Sequence, residues 1–434
     1  MKYICDNINV NEKGHLTFAG QDTVELASKY GTPLYLLDEN RIREKCRIYV
    51  DAFRSCFPEG SQVLFASKAN SFKKIYNIIA EEGLGADVVS GGEIFTAKEA
   101  GFNLSRTYFH SNNKTDAEIS YAMDCGVGQF VVDHMSELAE VDRQAGIRGI
   151  RQKVLLRLTP GIDPHTYEAI STGRVDSKFG AAIETGQAKE FTEYALSLKN
   201  IELKGFHCHV GSQVFAEDVF ERSAEIMLNF SAMIENVYGY VTEYLDLGGG
   251  YGTAYYSGEG SLDIASKIAD VANSINKTCD SLGIKVPKIL MEPGRSIVAD
   301  AGMTLYTVGN VKRIPGYKNY ISIDGGMTDN PRYALYGARY TCYIANRMNE
   351  ECAMAAALVG KCCESGDVIQ KGGIYPETTV KGDIAAVCTT GAYNYSMASN
   401  YNRIPRPPIV MLKDGESSVV VRRETYEDIL RCDL

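Results

Sequence analysis

The chain has 434 residues, of which 45% are hydrophobic and 23% are charged, and its formal net charge is −10 at pH 7. This length exceeds one ordinary domain, so two packed domains are expected. The acidic balance argues against nucleic acid or an anionic membrane as the main partner, and no apolar run reaches the roughly 18 residues of a membrane span. The twelve cysteines lack paired CxxC spacing and no apolar leader precedes them, which predicts reduced thiols and a cytoplasmic protein.

The first predicted element in chain order is a short strand at His15–Phe18. It lies within residues 1–37, ahead of the region where strand and helix patterns begin to alternate. We predict that residues 1–37 join a β-rich domain formed mainly by the other end of the chain.

Between about residues 61 and 295, short β-rich runs alternate with helical patterns. One helix opens with a capping box formed by Thr115 and Glu118 and stops at Gly126. Eight strand–helix units predict an α/β fold, a (β/α)8 TIM-type barrel that spans residues 38–296. An open doubly wound sheet is the competing interpretation, because alternation alone does not show closure. The eight runs are Gln62–Ala66, Ala86–Val89, Thr107–His110, Gln129–Val132, Val154–Leu158, Leu203–His207, Thr242–Leu247 and Lys288–Met291.

Beyond Arg295 the sequence changes to strand patterns separated by turns, with few helical segments between them. This pattern predicts a second, mostly β domain made of residues 297–434 together with residues 1–37. Its strand patterns are Thr304–Ile314, Tyr320–Ile323, Ala355–Val359, Val380–Cys388 and Ser418–Arg422.

Ionisable residues follow the strand patterns of the predicted barrel, at the end where barrel enzymes carry their chemistry. Lys68 follows the first run, and an amine that is desolvated there would have the depressed pKa that a Schiff-base lysine needs. A lysine that simply reaches solvent is the alternative. Glu292 follows the eighth run, where a buried carboxylate is costly unless it is paired, for example with Arg295.

Two further loops have the composition of binding loops. The glycines Gly248–Gly250 follow the seventh run and can let backbone N–H groups approach an anion, to which Ser212 could add a hydroxyl. His207 and His209 form an HxH pattern that can bind a metal or place one ring on a flat cofactor. Because a metal needs further ligands and the other histidines are scattered, we predict no metal site.

Eight motifs occur in order between about Gly31 and Pro408, namely FASKAN, STGRVDSKFG, GFHCHVGSQ, LDLGGGYG, MEPGR, DNPRYALYG, CCESGD and TTGAYNYSMASNYN. Together they resemble the diaminopimelate decarboxylase family of fold-type III pyridoxal-phosphate enzymes. The resemblance implies pyridoxal 5'-phosphate as the cofactor and an alanine-racemase-like architecture in which the β domain completes the active site. Lys361 and Tyr167 depart from the proline and histidine common in the family, and neither has an implied role.

The resemblance also implies a role for each matching residue. Lys68 would carry the cofactor, His209 would stack on its ring, and Glu292 would face the ring nitrogen. Cys363 and Lys68 are both candidates for returning a proton to Cα. Further cofactor contacts are implied for Asp87, Ser212, Gly249, Gly250, Pro293, Gly294, Arg295 and Tyr393. Substrate contacts are implied for Arg295, Arg332 and Tyr336 on the distal carboxylate, for Glu364 on the distal ammonium, and for Tyr393.

The implied reaction converts meso-2,6-diaminopimelate to L-lysine and CO2, the last step of lysine biosynthesis. Residues that match Cys363 and Glu364 reach the active site of the neighbouring subunit in this family. The resemblance therefore implies a homodimer with two shared active sites and a small amino-acid substrate.

Several alternatives share part of this pattern. Decarboxylases of ornithine, arginine or carboxynorspermidine differ in the residues that bind the far end of the substrate, and a simple diamine precursor would leave arginines unpaired. An amino-acid racemase shares the barrel and the lysine, but CCESGD and TTGAYNYSM fit decarboxylases better. A binding protein built on an inactive copy would be expected to have lost Lys68, Cys363 or the phosphate loop. A metal-dependent barrel hydrolase is the remaining alternative.

Overall fold

The computed structural model describes residues 3–162, 173, 175–216, 218–256 and 258–434, and the chain divides into two compact units. The barrel unit comprises Lys45–Gly252 and Leu262–Ser296. The β unit comprises Met1–Glu44, Thr253–Ser261 and Ile297–Leu434. The sequence-based division assigns residues 38–296 to the barrel, whereas these units place segments 38–44 and 253–261 in the β unit. The domain limits therefore stay a prediction.

Within the described residues, the barrel unit contains eight parallel strands whose hydrogen bonds close into a ring. The strand Gln152–Thr159 completes the ring because it pairs with both Gln129–Val132 and Ile201–His207. The predicted (β/α)8 TIM-type barrel is therefore confirmed, and the open sheet is wrong. The other strands are Gln62–Ala66, Gly85–Val88, Thr107–Phe109, Tyr244–Asp246 and Lys288–Met291.

A helix follows each of the first seven barrel strands, and its ends carry the expected signals. The helix Asp116–Asp124 begins with the capping box of Thr115 and Glu118. The helix Val219–Tyr238 ends at Gly239, whose φ of 70° places it in the left-handed region that favours glycine. The remaining barrel helices are Lys73–Glu81, Gly91–Glu99, Met135–Arg148, Gln187–Ser197 and Ile264–Leu282.

The β unit is built around one large mixed sheet. The strand Leu34–Asp38 lies inside this sheet, antiparallel to Gly302–Ile314 and parallel to Ile409–Lys413, so the two ends of the chain form one unit. Its other sheet strands are Lys318–Ile323, Cys342–Ile344, Cys352–Val359, Val368–Pro376, Ile384–Cys388 and Glu416–Val421, and its helices are Thr23–Tyr30, Arg332–Tyr336 and Tyr426–Leu430.

The N-terminal strand differs in detail from its prediction. It covers Leu16–Phe18 and pairs with Ile8–Val10 and Gln21–Asp22 in a small separate sheet, not in the large one. Leu16 and Phe18 are nevertheless buried in the apolar core of the β unit. The predicted association of residues 1–37 with the β-rich part of the chain therefore has two sources. One is the packing of these side chains, and the other is the pairing of the strand Leu34–Asp38 within the large sheet.

The predicted strand Val380–Cys388 begins later, at Ile384. The carboxylate of Asp383 accepts a hydrogen bond of 2.8 Å from the backbone N–H of Val380, and Gly382 has a φ of 95°. These residues therefore form a turn ahead of the strand.

Two helices, Glu39–Cys56 and Arg295–Val298, cross the limits between the units. Among all helices of the described residues, none combines the length and the apolar character that a bilayer crossing requires.

Candidate active site

Lys68 lies in a short 3₁₀ turn, Ser67–Ala69, directly after the first barrel strand. Its Nζ atom is 3.3 Å from Oδ2 of Asp87, at the end of the second strand. Asp87 is fully buried, whereas the Lys68 side chain is 41% exposed. The desolvation expected from the strand-end position is therefore only partial, because the amine reaches out of the barrel beside a buried carboxylate.

Glu292 lies at the end of the eighth strand and is bracketed by two imidazoles. Its Oε1 atom is 2.8 Å from Nε2 of His110, and its Oε2 atom is 3.4 Å from Nε2 of His207. Nε2 of His110 is also 3.8 Å from Oδ1 of Asp87. A chain of polar contacts thus leads from Lys68 to Glu292 through Asp87 and His110.

This buried cluster keeps its negative charge on Glu292. Burial by itself would raise the pKa of Glu292, but the facing imidazoles reverse that effect and hold the pKa well below its usual value. Burial, followed by the charge of Glu292, raises the pKa of the nearby Asp246 well above its usual value. Burial also lowers the pKa of His207 to about 3. At neutral pH His207 is therefore uncharged and Glu292 is ionised, whereas the surroundings of Asp246 favour its protonated form.

The potential ligand atoms of His110, His207, Asp246 and Glu292 lie within 4.8 Å of one another. The two histidines of the HxH pattern do not face a common point, because His207 contacts Glu292 while Nδ1 of His209 accepts a hydrogen bond of 3.2 Å from the backbone N–H of Gly249. Within this cluster both imidazoles contact the carboxylate of Glu292, His207 through a hydrogen bond and His110 at ion-pair distance.

His209 is held as a neutral ring. Burial, followed by the charge of Lys68, lowers the pKa of His209 well below its usual value. Since Nδ1 accepts the N–H of Gly249, we assign the ring proton to Nε2. A neutral imidazole in a fixed orientation is suited to stacking on a flat ring.

The glycines after the seventh strand allow loops to pack backbone against backbone. A Cβ atom on Gly249 would lie 2.1 Å from the carbonyl oxygen of Glu292, and one on Gly250 would lie 2.1 Å from that of Gly211. Gly250 also has a φ of 120°. Because real Cβ atoms do not approach oxygen so closely, only glycine fits at these two positions.

The loop after the eighth strand is joined to the Lys68 turn in the same way. The backbone N–H of Ala66 donates to the carbonyl oxygen of Pro293 at 3.1 Å, and a Cβ atom on Gly294 would lie 2.9 Å from Cβ of Ala69. The turn that carries Lys68 is therefore fixed against the loop that carries Glu292.

Arg295 contributes a buried positive charge to the barrel rim, the set of loops that follow the carboxyl ends of the barrel strands. It is 7% exposed, and its Nε and Nη2 atoms donate to the hydroxyl of Ser212 at 3.3 and 3.0 Å. Ser212 follows Gly211, the residue that Gly250 approaches. A guanidinium, a hydroxyl and glycine backbone thus meet where the sequence predicts binding of a phosphate.

Two buried residues of this site had no predicted role. His110, which is 4% exposed, and Arg157, which is 9% exposed, both lie at the ends of barrel strands. The Arg157 guanidinium lies over the ring of Phe179, 4.2 Å from its centroid, and burial lowers its pKa. The only sequence feature that could have indicated a functional role was their position at the ends of predicted strands. A single histidine or arginine at such a position forms no recognisable motif.

In the β unit, Arg332 is a buried cation without a carboxylate partner among the described residues. It is 5% exposed and donates from Nη1 to the hydroxyl of Tyr340 at 2.9 Å. Its guanidinium lies over the ring of Tyr255 at 4.5 Å, and its buried Nε atom has no hydrogen-bond partner. A buried guanidinium that is balanced only by tyrosines is prepared to bind an anion.

The other predicted residues of the β unit are more accessible. Tyr336 ends the helix that Arg332 begins and is half-buried. Cys363 and Glu364 are exposed in the single chain, and Tyr393 is half-buried with a φ of 59°. Part of the STGRVDSKFG motif, together with Tyr167, lies outside the described residues.

Comparison with known proteins identifies the family. The diaminopimelate decarboxylase of Bacillus subtilis (strain 168) is 44% identical to this chain over 424 residues, which cover 98% of this chain and 96% of that protein. The chain belongs to the diaminopimelate decarboxylase family. The family model described as "Pyridoxal-dependent decarboxylase, pyridoxal binding domain" matches residues 39–299, more than half of the chain.

Solved structures of diaminopimelate decarboxylases have the same fold. The crystal structure of the M. jannaschii protein in complex with L-lysine superposes with a TM-score of 0.90 at 34% identity and covers 99% of this chain and 98% of that one. The Helicobacter pylori protein complexed with L-lysine gives a TM-score of 0.86 at 31% identity, covering 94% and 98%. The chain is thus a pyridoxal-phosphate-dependent decarboxylase.

The residues of the barrel rim fit the cofactor of the diaminopimelate decarboxylase family. A reachable amine, that of Lys68, is available to bind an aldehyde, and the ionised Glu292 can accept the N–H of a protonated pyridine. Arg295, the Ser212 hydroxyl and the loop of Gly250 form a cradle of suitable charge for a phosphate. The aldehyde, the ring nitrogen and the phosphate of pyridoxal phosphate therefore each have a chemically matched partner in this chain.

Proposed function

We propose that the protein decarboxylates meso-2,6-diaminopimelate to L-lysine and CO2, the last step of lysine biosynthesis. The observation that carries this proposal is the buried guanidinium of Arg332, which has no carboxylate partner among the described residues, in a chain of the diaminopimelate decarboxylase family. This substrate has a second carboxylate at its far end, which Arg332 would neutralise. The relatives from M. jannaschii and H. pylori with bound L-lysine support the same product.

The barrel residues would hold the reacting end of the substrate. When bound, the cofactor supplies an electron-withdrawing ring that accepts the electron pair left when the bond between Cα and its carboxylate breaks. Glu292 would remain ionised and keep the ring nitrogen protonated, while neutral His209 would support the face of the ring. Lys68 would hold the cofactor by its amine. Asp87, Ser212, Gly249, Gly250, Pro293, Gly294, Arg295 and Tyr393 would complete the cofactor contacts.

The β unit would determine which substrate is accepted. We propose that Arg295, Arg332 and Tyr336 bind the distal carboxylate and that Glu364 binds the distal ammonium, with Tyr393 contacting both substrate and cofactor. Holding the far end would determine which bond at Cα stands perpendicular to the ring of the bound cofactor, and that orientation would select the bond that breaks. Cys363 and Lys68 are the two groups that we propose for returning a proton to Cα.

We further propose a cytoplasmic homodimer in which Cys363 and Glu364 serve the active site of the neighbouring subunit. Their exposure in the single chain supports this arrangement. Sedimentation should then give twice the mass of one chain, and mixing inactive Lys68→Ala subunits with inactive Cys363→Ala subunits should restore activity that neither has alone. A mixture that stays inactive would contradict shared sites.

The function is tested by supplying the purified protein and pyridoxal phosphate with meso-diaminopimelate, ornithine, arginine and carboxynorspermidine in turn. We expect CO2 and L-lysine in equal amounts from meso-diaminopimelate and much slower release of CO2 from the others. Preference for another substrate would assign the chain to the corresponding decarboxylase. Change of configuration without CO2 would identify a racemase.

The same assay tests the role of Arg332. The variant Arg332→Met keeps the length and apolar stem of the side chain but removes the charge, and we expect kcat/KM for meso-diaminopimelate to fall by at least about tenfold because a buried charge pair is lost. The matched control is Arg339→Met, which removes an exposed arginine of the same segment and should leave kcat/KM unchanged. Equal effects of the two variants would refute binding of the distal carboxylate by Arg332.

A further inference from the structure

The helix that begins at Arg332 is short, and the chain folds back directly after it. The helix ends at Tyr336, and the following Gly337 has a φ of 67°, in the left-handed region that favours glycine. The backbone N–H of Ala338 donates to the carbonyl oxygen of Arg332 at 3.4 Å, so the segment that leaves the helix lies beside its first turn. The side chain of Tyr340 can therefore reach that of Arg332.

The hydroxyl of Tyr340 takes part in two hydrogen bonds. It accepts the N–H of Arg332 Nη1 at 2.9 Å, and it donates to Oδ1 of Asn394 at 3.4 Å. Tyr340 is 2% exposed and Asn394 is fully buried. A phenol has a single O–H, so donation to Asn394 leaves the lone pairs of the oxygen for the guanidinium. The hydroxyl is therefore held as an acceptor for Arg332.

The backbone and the ring of Tyr340 are fixed as well. Nε2 of Gln370 donates to its carbonyl oxygen at 2.9 Å, and the backbone N–H of Thr341 donates to the carbonyl oxygen of Tyr255 at 3.0 Å. The rings of Tyr255 and Tyr340 meet edge to face, with centroids 5.5 Å apart and an interplanar angle of 84°. Because Tyr340 is fixed in this way, its hydroxyl determines the direction in which the Arg332 guanidinium points.

The partner that orients Arg332 is uncharged. Burial raises the pKa of Tyr340, so its phenol stays neutral at physiological pH. A carboxylate at the same place would orient the guanidinium equally well, but it would also neutralise it in a buried ion pair. The Nε atom of Arg332 has no hydrogen-bond partner among the described residues. The guanidinium is thus oriented while its charge and a donor stay available for a ligand.

We propose that Tyr340 is a positioning residue whose hydroxyl directs the Arg332 guanidinium at the distal carboxylate of the substrate without cancelling its charge. This inference rests on the proposed function. A carboxylate binds best to two parallel N–H groups of one guanidinium edge, so a rotated guanidinium binds it less well. Tyr340 and Arg332 belong to the same unit of one chain, so this arrangement is complete without any residue of a neighbouring subunit.

The test is a double-mutant cycle that combines Tyr340→Phe with Arg332→Met. Tyr340→Phe removes only the hydroxyl and leaves a buried N–H of Arg332 unpaired. We expect it to raise KM for meso-diaminopimelate about fivefold and to keep kcat within about twofold of the wild type. In the Arg332→Met background the same change should have no further effect on kcat/KM, because the hydroxyl then has no guanidinium to orient.

The matched control is Tyr30→Phe, which removes another tyrosine hydroxyl of the β unit. The hydroxyl of Tyr30 donates to the carbonyl oxygen of Ser417 at 3.0 Å, and its loss should leave KM unchanged. A second variant, Tyr340→Leu, lacks the ring as well as the hydroxyl and should raise KM at least as much as Tyr340→Phe. Thermal unfolding and the visible absorbance of the bound cofactor show whether each variant folds and loads pyridoxal phosphate.

Several outcomes would overturn the proposal. They are a KM of Tyr340→Phe within about twofold of the wild type, an undiminished effect in the Arg332→Met background, and an equal rise of KM in Tyr30→Phe. Failure of both Tyr340 variants to fold and load cofactor would show that the tyrosine is needed for the fold, and would overturn the proposal too. A wild type that does not act on meso-diaminopimelate would instead refute the proposed function, which the same assay reports separately.

Discussion

The variant Lys68→Ala is expected to lose at least about 10³-fold in the rate of decarboxylation, because no other amine has been assigned to hold the cofactor. Lys68 lies on a turn fixed against the loop that carries Glu292, and its Nζ atom is 3.3 Å from Asp87. Reduction of the wild-type holoenzyme with borohydride, followed by peptide mass spectrometry, should place the cofactor on Lys68. The variant should bind the cofactor only noncovalently, so that borohydride attaches no cofactor to residue 68.

The matched control for this prediction is Lys73→Ala. Lys73 is an exposed lysine that begins the next helix, and its removal should leave both rate and cofactor attachment unchanged. If Lys68→Ala retains attached cofactor on another lysine together with normal turnover, Lys68 is not the residue that carries it.

The variant Glu292→Gln should lower kcat by about 10²–10³-fold, as expected when a preorganised charge in a buried site is removed. Glutamine has the same shape but cannot hold the ring nitrogen in its protonated form. The sharpest comparison is Asp246→Asn. Since Asp246 is the carboxyl of the cluster whose pKa is raised, asparagine imitates its protonated state, and this variant should lose far less activity than Glu292→Gln.

Steady-state kinetics and titration of the apo-protein with pyridoxal phosphate measure both effects. If Asp246→Asn is as damaging as Glu292→Gln, the assignment of the negative charge to Glu292 is wrong. If neither variant changes kcat, Glu292 does not interact with the cofactor ring.

The barrel was predictable because buried parallel strands leave a clear local signal. The strands Gln62–Ala66, Gln129–Val132 and Lys288–Met291 have the limits that their apolar runs indicate, since a strand covered on both faces reads as a continuous apolar run. Tyr244–Asp246 is shorter than the run Thr242–Leu247, because hydrogen bonding to neighbouring strands decides where a strand ends.

The β unit was less predictable for the same physical reason. Leu34–Asp38 and Ile409–Lys413 were not predicted as strands, although both are central in the large sheet. Their pairing joins residues 374 positions apart in sequence, such as Tyr35 and Ile409, and no local pattern encodes such a partner. Val368–Pro376 contains two adjacent glycines and a lysine, which obscure the alternation that marks a strand.

In the candidate site, too, residues marked by a local sequence pattern were predictable and residues defined by long-range contacts were not. Lys68, Glu292 and the glycine loop stand out because a charged residue or a glycine run directly follows an apolar strand. His110 was missed because its importance depends on being 2.8 Å from Glu292, a contact between two loops that are far apart in sequence.

The glycine packing of the barrel rim has a consequence for redesign of this scaffold. At Gly249 and Gly250 the adjacent loops leave no volume for even one methyl group, so a library of substitutions there would yield displaced loops rather than new specificities. Arg332, Tyr336 and Glu364 belong to the other unit, and their neighbours include exposed positions with room to vary. Directed evolution towards other amino acids should therefore accumulate its productive changes at the accessible positions of residues 333–336 and 361–366, and leave the glycine loops of the barrel unchanged.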